Sequence, residues 1–273
     1  MKIQGNIGKM RSEFSPESNS GVVEYRMPVG SDQIYMNELV GRDISLTYGG
    51  KINCIYCGRE TKKSFAQGYC YPCFISLPQT DECILHPEKC RAHDGISRDM
   101  VWSEQNCLED HFVYLALTPG LKVGVTRHTQ IPTRWIDQGA WKAIRVVRTP
   151  NRYTAGMVEV HLKDYVADKT NWRQMLAGKR IDGIDLIWEK KRVKKYLTGS
   201  MIDYFIDEDE IIELNYPVLE YPDKVTTLNL DTDPFVSGKL AGIKGQYLIF
   251  SNGSVLNIRK FGGYLVDLET EEL

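Results

Sequence analysis

The chain has 273 residues, of which 42% are hydrophobic and 26% are charged, the composition of a globular protein with room for two or three small domains. Its formal net charge of −2 excludes a uniformly basic molecule. No apolar run approaches the length of a membrane span, and no secretory leader is recognisable, so we expect a soluble, cytoplasmic protein. Charge is uneven, however: residues 98–200 contain 18 Lys+Arg and 11 Asp+Glu. This excess favours a polyanionic partner, although solvated helix faces would also produce it.

The N-terminal segment is predicted to be β-rich. The sequence of residues 22–29, Val-Val-Glu-Tyr-Arg-Met-Pro-Val, is typical of a strand. Residues 43–48 alternate apolar and polar side chains and meet Gly49-Gly50, after which residues 51–54 resume the pattern. This predicts a strand, a turn and a second strand that leads into a cysteine-rich region. The polar stretch 9–20 is predicted to be a loop.

The most specific chemical pattern is a pair of Cys-x2-Cys motifs separated by 12 residues. Two such knuckles can supply the four thiolates of a tetrahedral structural zinc, which leaves no open coordination position. A disulfide pair is disfavoured in a cytoplasmic chain, and the presence of two knuckles disfavours a redox motif. The predicted Zn²⁺ ligands are Cys54, Cys57, Cys70 and Cys73.

A second group of cysteines and histidines follows. Cys107 and His111 share one helical face if that segment is helical, and Cys83 and Cys90 would complete a second tetrahedral zinc site. His86 or His93 is an alternative ligand. The competing interpretation is that these small cysteines are ordinary core residues.

The middle of the chain predicts a compact α/β arrangement. Two apolar runs flank Thr118-Pro119-Gly120, which is typical of a β-hairpin. Thr133 can cap a helix that begins at Arg134. The predicted elements, in order, are strands 112–117 and 121–125, a helix from 134, a strand 143–147, a helix 153–167 and a further helix opened by Asn171.

Two side chains in this segment have the chemistry for phosphodiester cleavage. Glu159 lies at the edge of an apolar helical stripe, where a carboxylate is costly unless it is paired or binds a cation. Arg134 can face a phosphate. The alternatives are an ion pair between Glu159 and Lys163 one turn later, and a solvated Arg134. Tyr114, in a strand, is equally compatible with a core position.

The order of these elements resembles the GIY-YIG endonuclease domain. Phe112-Val113-Tyr114 takes the place of GIY, Lys122-Val123-Gly124 takes the place of YIG, and Gln138 stands where a histidine often follows the helix arginine. The resemblance implies that Tyr114, Arg134 and Glu159 are catalytic and that Glu159 binds Mg²⁺ or Mn²⁺. Lys122 replaces the tyrosine that helps to activate water in that family. Tyr153 is a second candidate hydroxyl.

The remaining third of the chain adds a basic run and several short strands. The basic run Glu189-Lys-Lys-Arg-Val-Lys-Lys begins one residue after Trp188, and it can bind a phosphate backbone with Trp188 or Trp172 available for stacking. A solvated helix face explains it equally well. Residues 203–213 are acidic and are predicted to link two domains. Residues 247–250 and 255–258 flank Asn252-Gly253, a strong hairpin pattern that suggests a small barrel or half-barrel.

Longer strings resemble one bacterial family over nearly the whole chain. They include Tyr69-Cys-Tyr-Pro-Cys-Phe, Pro87-Glu-Lys-Cys, Lys122-Val-Gly-Val-Thr-Arg and Asp168-Lys-Thr-Asn-Trp. They are similar to the family catalogued as domain of unknown function 2797. The resemblance implies that Lys122 belongs to that family's own pattern.

The predicted fold class is α+β, with a β-rich segment (1–50), a zinc region (51–111), a small GIY-YIG-like domain with a three-stranded antiparallel sheet (112–200) and a β-rich, barrel-like module (201–273). The predicted function is that of a zinc protein that binds DNA or RNA and cleaves phosphodiesters with one divalent ion. The alternatives are a non-catalytic nucleic-acid-binding module and a zinc-stabilised protein-interaction scaffold.

Overall fold

A computed structural model describes residues 1–14 and 21–270 of the chain. It is a mixed α+β protein with several sheets. The helices are α1 (Tyr71–Ser76), α2 (Met100–Asn106), α3 (Thr133–Asp137), α4 (Arg152–Leu162), α5 (Trp172–Leu176) and α6 (Leu186–Lys194). The strands are β1 (Lys2–Asn6), β2 (Arg11–Glu13), β3 (Glu24–Val29), β4 (Asp32–Tyr35), β5 (Asp43–Ile52), β6 (His111–Leu117), β7 (Leu121–Arg127), β8 (Lys142–Thr149), β9 (Ile211–Glu213), β10 (Thr226–Thr227), β11 (Phe235–Lys244), β12 (Tyr247–Phe250), β13 (Ser254–Asn257) and β14 (Tyr264–Thr270).

The chain divides into two compact units. Unit 1 comprises Met1–Ile75, Leu176–Gly178 and Leu214–Leu273, and unit 2 comprises Ser76–Met175 and Lys179–Glu213. Among the described residues, no helix has the length and apolarity needed to cross a bilayer.

Unit 1 is built on a seven-stranded sheet in the order β1-β14-β5-β11-β12-β13-β10, and β2, β3 and β4 form a second sheet. The predicted hairpin around Asn252-Gly253 is confirmed as β12 and β13. The large sheet has β1 and β10 at its two edges, so no closed barrel exists among the described residues, and the barrel-like module is not confirmed. The C-terminal strands instead share one open sheet with β1 and β5.

The predicted turn at Gly49-Gly50 was wrong, because β5 runs through both glycines as one strand. The pairing of β5 with β14 shifts there: Tyr48 pairs with Val266, whereas Ile52 pairs with Tyr264. The extra residues of β5 form a bulge, and Gly50 has φ +79, which a glycine adopts without steric cost. In the predicted loop 9–20, residues 11–13 form β2, and residues 15–20 lie outside the described part of the chain.

Unit 2 contains a four-stranded sheet in the order β7-β6-β8-β9. The predicted hairpin is confirmed as β6 and β7, and the predicted third strand as β8. One face of the sheet presents Val113, Leu115 and Val123 to an apolar core that includes Val158 of α4 and Val193 of α6. Burying this face against two helices stabilises unit 2.

The helices of unit 2 begin near their predicted positions. Helix α3 starts at Thr133 with Pro132 as its N-cap, one residue before the predicted start. Helix α4 is capped by Asn151, whose side-chain oxygen accepts a hydrogen bond from the backbone N–H of Thr154 at 2.8 Å. It ends at Leu162, earlier than predicted. This cap fixes the start of the helix that carries Glu159.

Candidate functional site

Strand register places two of the predicted catalytic residues, Tyr114 and Lys122, on one face of the sheet in unit 2. Tyr114 pairs with Gly124 across β6 and β7, and Ala116 pairs with Lys122. Directly paired residues share a face, as do residues two apart on one strand, so Tyr114 and Lys122 are diagonal neighbours. A Cβ on Gly124 would lie 2.6 Å from the Tyr114 hydroxyl oxygen, so the glycine makes room for the phenol.

The Tyr114 hydroxyl lies between α3 and the sheet. It donates a hydrogen bond of 2.6 Å to Oε1 of Gln138. Burial raises the pKa of the phenol to about 12, the Arg134 guanidinium lowers it, and the Glu159 carboxylate raises it. Tyr114 is therefore a protonated donor at neutral pH, within electrostatic reach of both predicted charges.

Arg134 of α3 lies near the Tyr114 hydroxyl and has one N–H group without a hydrogen-bond partner among the described residues. Its Nε is buried and has no hydrogen-bond partner among the described residues. An unpartnered guanidinium N–H is costly in a protein interior, and it is the group that a bound phosphate oxygen satisfies best.

Lys122 is buried within electrostatic reach of Arg134 and Glu159, with only 4% of its surface exposed. Burial, followed by the Arg134 charge, lowers the pKa of its ammonium group to about 8, while Glu159 and Asp168 act in the opposite direction. A lysine with a pKa near neutrality can exchange a proton during a reaction, which an ordinary surface lysine does poorly.

Glu159 has 12% of its side chain exposed and contacts Lys163, whose Nζ lies 3.5 Å from Oε2 of Glu159 and 3.5 Å from Oδ2 of Asp168. Burial raises the pKa of the Glu159 carboxyl, and Lys163 and Lys122 lower it. The ion pair with Lys163, the alternative interpretation of Glu159, is therefore present. Asp168 supplies a second carboxylate, and two carboxylates sharing one ammonium group also suit a hard divalent cation.

Tyr153 lies elsewhere in unit 2. Its ring stacks on His93 at a centroid distance of 4.2 Å and packs against the second cysteine cluster.

Two residues that sequence reasoning did not propose belong to the candidate site. Gln138 accepts the hydrogen bond of Tyr114, and Asp168 shares Lys163 with Glu159. Lys122 was recognisable as a charge inside an apolar strand. Asp168 lies beyond the end of α4, where no helical spacing relates it to Glu159.

The buried lysine provides a test of the site's electrostatics. The pKa of Lys122 is lower in the folded state than in the unfolded chain, so the charged lysine destabilises the fold. This destabilisation is complete below about pH 8, and it decreases as the pH rises toward about 10.4, the pKa of lysine in the unfolded chain. We expect Lys122→Met to raise the free energy of unfolding by about 2–3 kcal/mol at pH 7 and by less than about 1 kcal/mol at pH 10. Urea denaturation of both proteins at the two pH values measures the difference. An equal difference at both pH values would contradict a depressed pKa.

The basic run on α6, predicted to bind nucleic acid, is partly neutralised within the protein. Lys190 is fully buried and lies 3.3 Å from Asp209, Lys191 lies 4.0 Å from Asp209, and Lys194 lies 3.2 Å from Asp207. The acidic stretch 203–213, predicted to be a linker, thus pairs with α6 and also contributes β9 to the sheet. Exposed basic residues occur instead at Lys169, Arg173, Lys179 and Arg180.

The first cysteine cluster, in unit 1, has the geometry of a four-sulfur metal site. The ligand atoms of Cys54, Cys57, Cys70 and Cys73 all lie within 4.8 Å of one another. Sγ of Cys57 and Sγ of Cys70 are 3.8 Å apart, which matches the edge of about 3.8 Å that zinc–sulfur bonds of about 2.3 Å give a tetrahedron. Burial raises the pKa of the Cys54 thiol, but backbone hydrogen bonds from Cys57 and Cys70 outweigh it and lower the pKa to about 6. The cluster can hold a metal such as zinc.

The second cluster, in unit 2, contains three buried cysteines, Cys83, Cys90 and Cys107, whose sulfur atoms lie within 4.8 Å of one another. Contact with the other two thiols, followed by Arg152, lowers the pKa of Cys107, so a thiolate is favoured there. The helical face predicted for Cys107 and His111 was wrong, because α2 ends at Asn106 and His111 already belongs to β6. His111 lies outside the three-sulfur group, and its Nδ1 is 2.7 Å from the Glu109 carbonyl oxygen.

Comparison with known proteins places the chain in one family. No curated protein and no solved structure matches it. Residues 41–266 match the family described as Protein of unknown function (DUF2797), a span that includes both cysteine clusters and the buried charged residues around Tyr114. Because the match covers most of the sequence, the chain belongs to this family.

Proposed function

We propose that unit 2 is a divalent-cation-dependent nuclease acting on a nucleic-acid phosphodiester. The observation that carries the proposal is that Arg134 from α3 and Glu159 from α4 lie within electrostatic reach of the buried Tyr114 hydroxyl and also of the buried Lys122 of β7. Buried charges that offset one another only in part destabilise a fold, so their presence favours a functional explanation. The same four positions are those that the GIY-YIG resemblance implies.

The connectivity of unit 2 supports the same proposal. The hairpin β6-β7 is followed by α3, then by β8 on the other side of β6, and then by α4. This is the hairpin, helix, strand and helix order on which the GIY-YIG resemblance was based. Fold order alone does not establish an activity, so the argument for cleavage rests on the side chains.

The proposed mechanism assigns one role to each side chain. A cation held by Glu159, with Asp168 nearby, would supply charge neutralisation at the phosphate. Arg134 donates from its unpartnered Nε to a phosphate oxygen. Neutral Lys122 accepts a proton from the attacking water as the water oxygen bonds to phosphorus. The Tyr114 hydroxyl, whose proton is donated to Gln138, can accept a hydrogen bond from a group bound beside it. The phosphorus–oxygen bond to the leaving group breaks, and that oxygen is protonated from solvent.

Half-buried tryptophans beside arginines, together with exposed basic side chains, offer a surface for the substrate. The Arg180 guanidinium lies 4.9 Å from the centre of the Trp141 ring, and that of Arg173 lies 4.3 Å from the Trp172 ring. Lys169, next to Asp168, is also exposed. Such pairs combine phosphate attraction with base stacking, which suits single-stranded nucleic acid.

End-labelled single- and double-stranded DNA and RNA, incubated with the protein in Mn²⁺, Mg²⁺ or EDTA, test the proposal. We expect cleavage of at least one substrate with either cation and none with EDTA, because the carboxylates need a cation to act on the phosphate. Salt-dependent binding without cleavage under any of these conditions would instead select a non-catalytic nucleic-acid-binding module. The absence of both would leave the protein-interaction scaffold.

A further inference from the structure

We infer that residues 51–75 of unit 1 (the knuckle segment) form a nucleic-acid-binding surface that holds a single strand by stacking unpaired bases on Tyr56 and Tyr71. Tyr56 precedes Cys57 in the sequence, and Tyr71 follows Cys70. The sulfur atoms of these two cysteines are 3.8 Å apart, so the two tyrosines lie on neighbouring segments of the chain. Because the inference concerns binding, it extends the proposed nuclease function without depending on cleavage.

The two tyrosines offer exposed aromatic surface. Of Tyr56, 60% is exposed, and of Tyr71, 56%. The Tyr71 ring packs against that of Phe65 at a centroid distance of 5.4 Å, and Phe65 stacks on Phe74 at 5.6 Å. Nζ of Lys63 lies 5.2 Å from the centre of the Phe65 ring, which adds a positive charge to the same aromatic group. A ring that packing holds in place, while more than half of the residue stays exposed, loses little freedom when a base stacks on it.

The charge of the knuckle segment suits a polyanion. It contains four Lys+Arg residues and one acidic residue, Glu60, a difference of +3. Zinc held by four thiolates would contribute about −2, which leaves the segment at about +1. All four basic residues are exposed, whereas Cys54 and Cys70 of the cluster are buried. Positive charge is therefore presented to solvent, where it attracts a phosphate backbone.

These cations differ from those of α6 because they are not neutralised by acidic neighbours. Among the residues that the structure describes, Lys51, Arg59 and Lys62 have no ion-pair partner. The N–H of Thr61 donates to the Ile52 carbonyl oxygen at 2.9 Å, so Lys62 and Lys51, the residues next to them, lie on neighbouring segments. Like charges brought near one another repel, and a bound phosphate relieves this repulsion.

Fluorescence anisotropy of labelled oligothymidine and oligouridine, titrated with the full-length protein without added Mn²⁺ or Mg²⁺, tests the inference. We expect Tyr56→Ala and Tyr71→Ala each to raise the dissociation constant at least about fivefold, because each removes one stacking platform. Tyr71→Phe keeps the ring and should bind as the wild-type protein does. The control is Phe235→Ala, which removes an equally exposed ring from another part of unit 1 and should leave the affinity unchanged.

The salt dependence of binding tests the charged part of the surface. Each neutralised phosphate of a single strand contributes about 0.7 to the slope of log K against log salt concentration. Lys62→Ala should therefore lower this slope by about 0.7. Lys239→Ala removes an exposed cation of unit 1 outside the knuckle segment and should leave the slope unchanged. The slope of Lys62→Ala decides the question if a tyrosine variant fails to fold.

Binding and cleavage give separate outcomes. Weakened binding in Tyr56→Ala and Tyr71→Ala, by a protein that cleaves no substrate, would support the surface and remove the nuclease. Unchanged affinity in both variants and an unchanged slope in Lys62→Ala, with cleavage intact, would overturn the surface and leave the nuclease. A wild-type protein that binds neither oligonucleotide, or an equal loss of affinity in Phe235→Ala, would also overturn it.

Discussion

Glu159→Gln is expected to lower the rate of cation-dependent nucleic-acid cleavage by on the order of 10²-fold to 10³-fold. Glutamine preserves the shape of the side chain but removes the charge that holds the cation. Single-turnover cleavage of an end-labelled oligonucleotide in Mn²⁺, with circular dichroism to confirm that the variant is folded, measures the effect. A variant as active as the wild-type protein would remove Glu159 from the mechanism.

Two neighbouring substitutions separate a cation ligand from an ion-pair partner. Asp164 is exposed on the same segment, so Asp164→Asn matches the loss of one negative charge and should leave the rate unchanged. Lys163→Met breaks the contact with Glu159 but keeps the carboxylate. If Glu159 binds a cation, removing this competing ammonium group should tighten the apparent Mn²⁺ affinity. If Glu159 serves only to pair with Lys163, both Glu159→Gln and Lys163→Met should lower stability and leave Mn²⁺ dependence unchanged.

The second large effect is expected from Cys57→Ser in the four-sulfur cluster. The Cys57 thiol is exposed, and an exposed substitution without a special role changes stability by about 0.5 kcal/mol or less. If Cys57 is a zinc ligand, Cys57→Ser should lower the free energy of unfolding by on the order of 3–5 kcal/mol, because metal binding is coupled to folding. The variant should also bind about one zinc ion fewer. Elemental analysis and urea denaturation of the purified variant measure both quantities.

The matched control for this prediction is a chelator. A strong zinc chelator should lower the stability of the wild-type protein toward that of Cys57→Ser, and it should have a smaller effect on the variant. Full zinc content in Cys57→Ser, with wild-type stability, would show that this thiol is not a ligand.

Features carried by local patterns were predictable from sequence. The spacing of the Cys-x2-Cys motifs brought four sulfurs together as expected, because each knuckle is a local structure. The hairpin around Thr118-Pro119-Gly120 forms as expected, because two short apolar runs flank a turn sequence. The GIY-YIG resemblance selected Tyr114, Arg134 and Glu159, and the charges of Arg134 and Glu159 both act on the pKa of Tyr114, whereas the catalytic roles of the three residues stay a prediction.

Features set by tertiary contacts were not predictable. The basic run on α6 suggested a phosphate-binding surface, but Asp207 and Asp209 neutralise part of it through contacts invisible in local sequence. Gly49-Gly50 is as typical of a turn as of a bulge, and only pairing with β14 distinguishes them. The separation of His111 from the three cysteines likewise depends on where α2 ends.

Anomalous X-ray scattering from a crystal of the wild-type protein soaked in Mn²⁺ tests the central claim most directly. We predict a manganese peak within coordination distance of the Glu159 carboxylate, and its loss in Glu159→Gln. A carboxylate that stays on the Lys163 ammonium group in saturating Mn²⁺, with no peak beside it, would contradict the proposal.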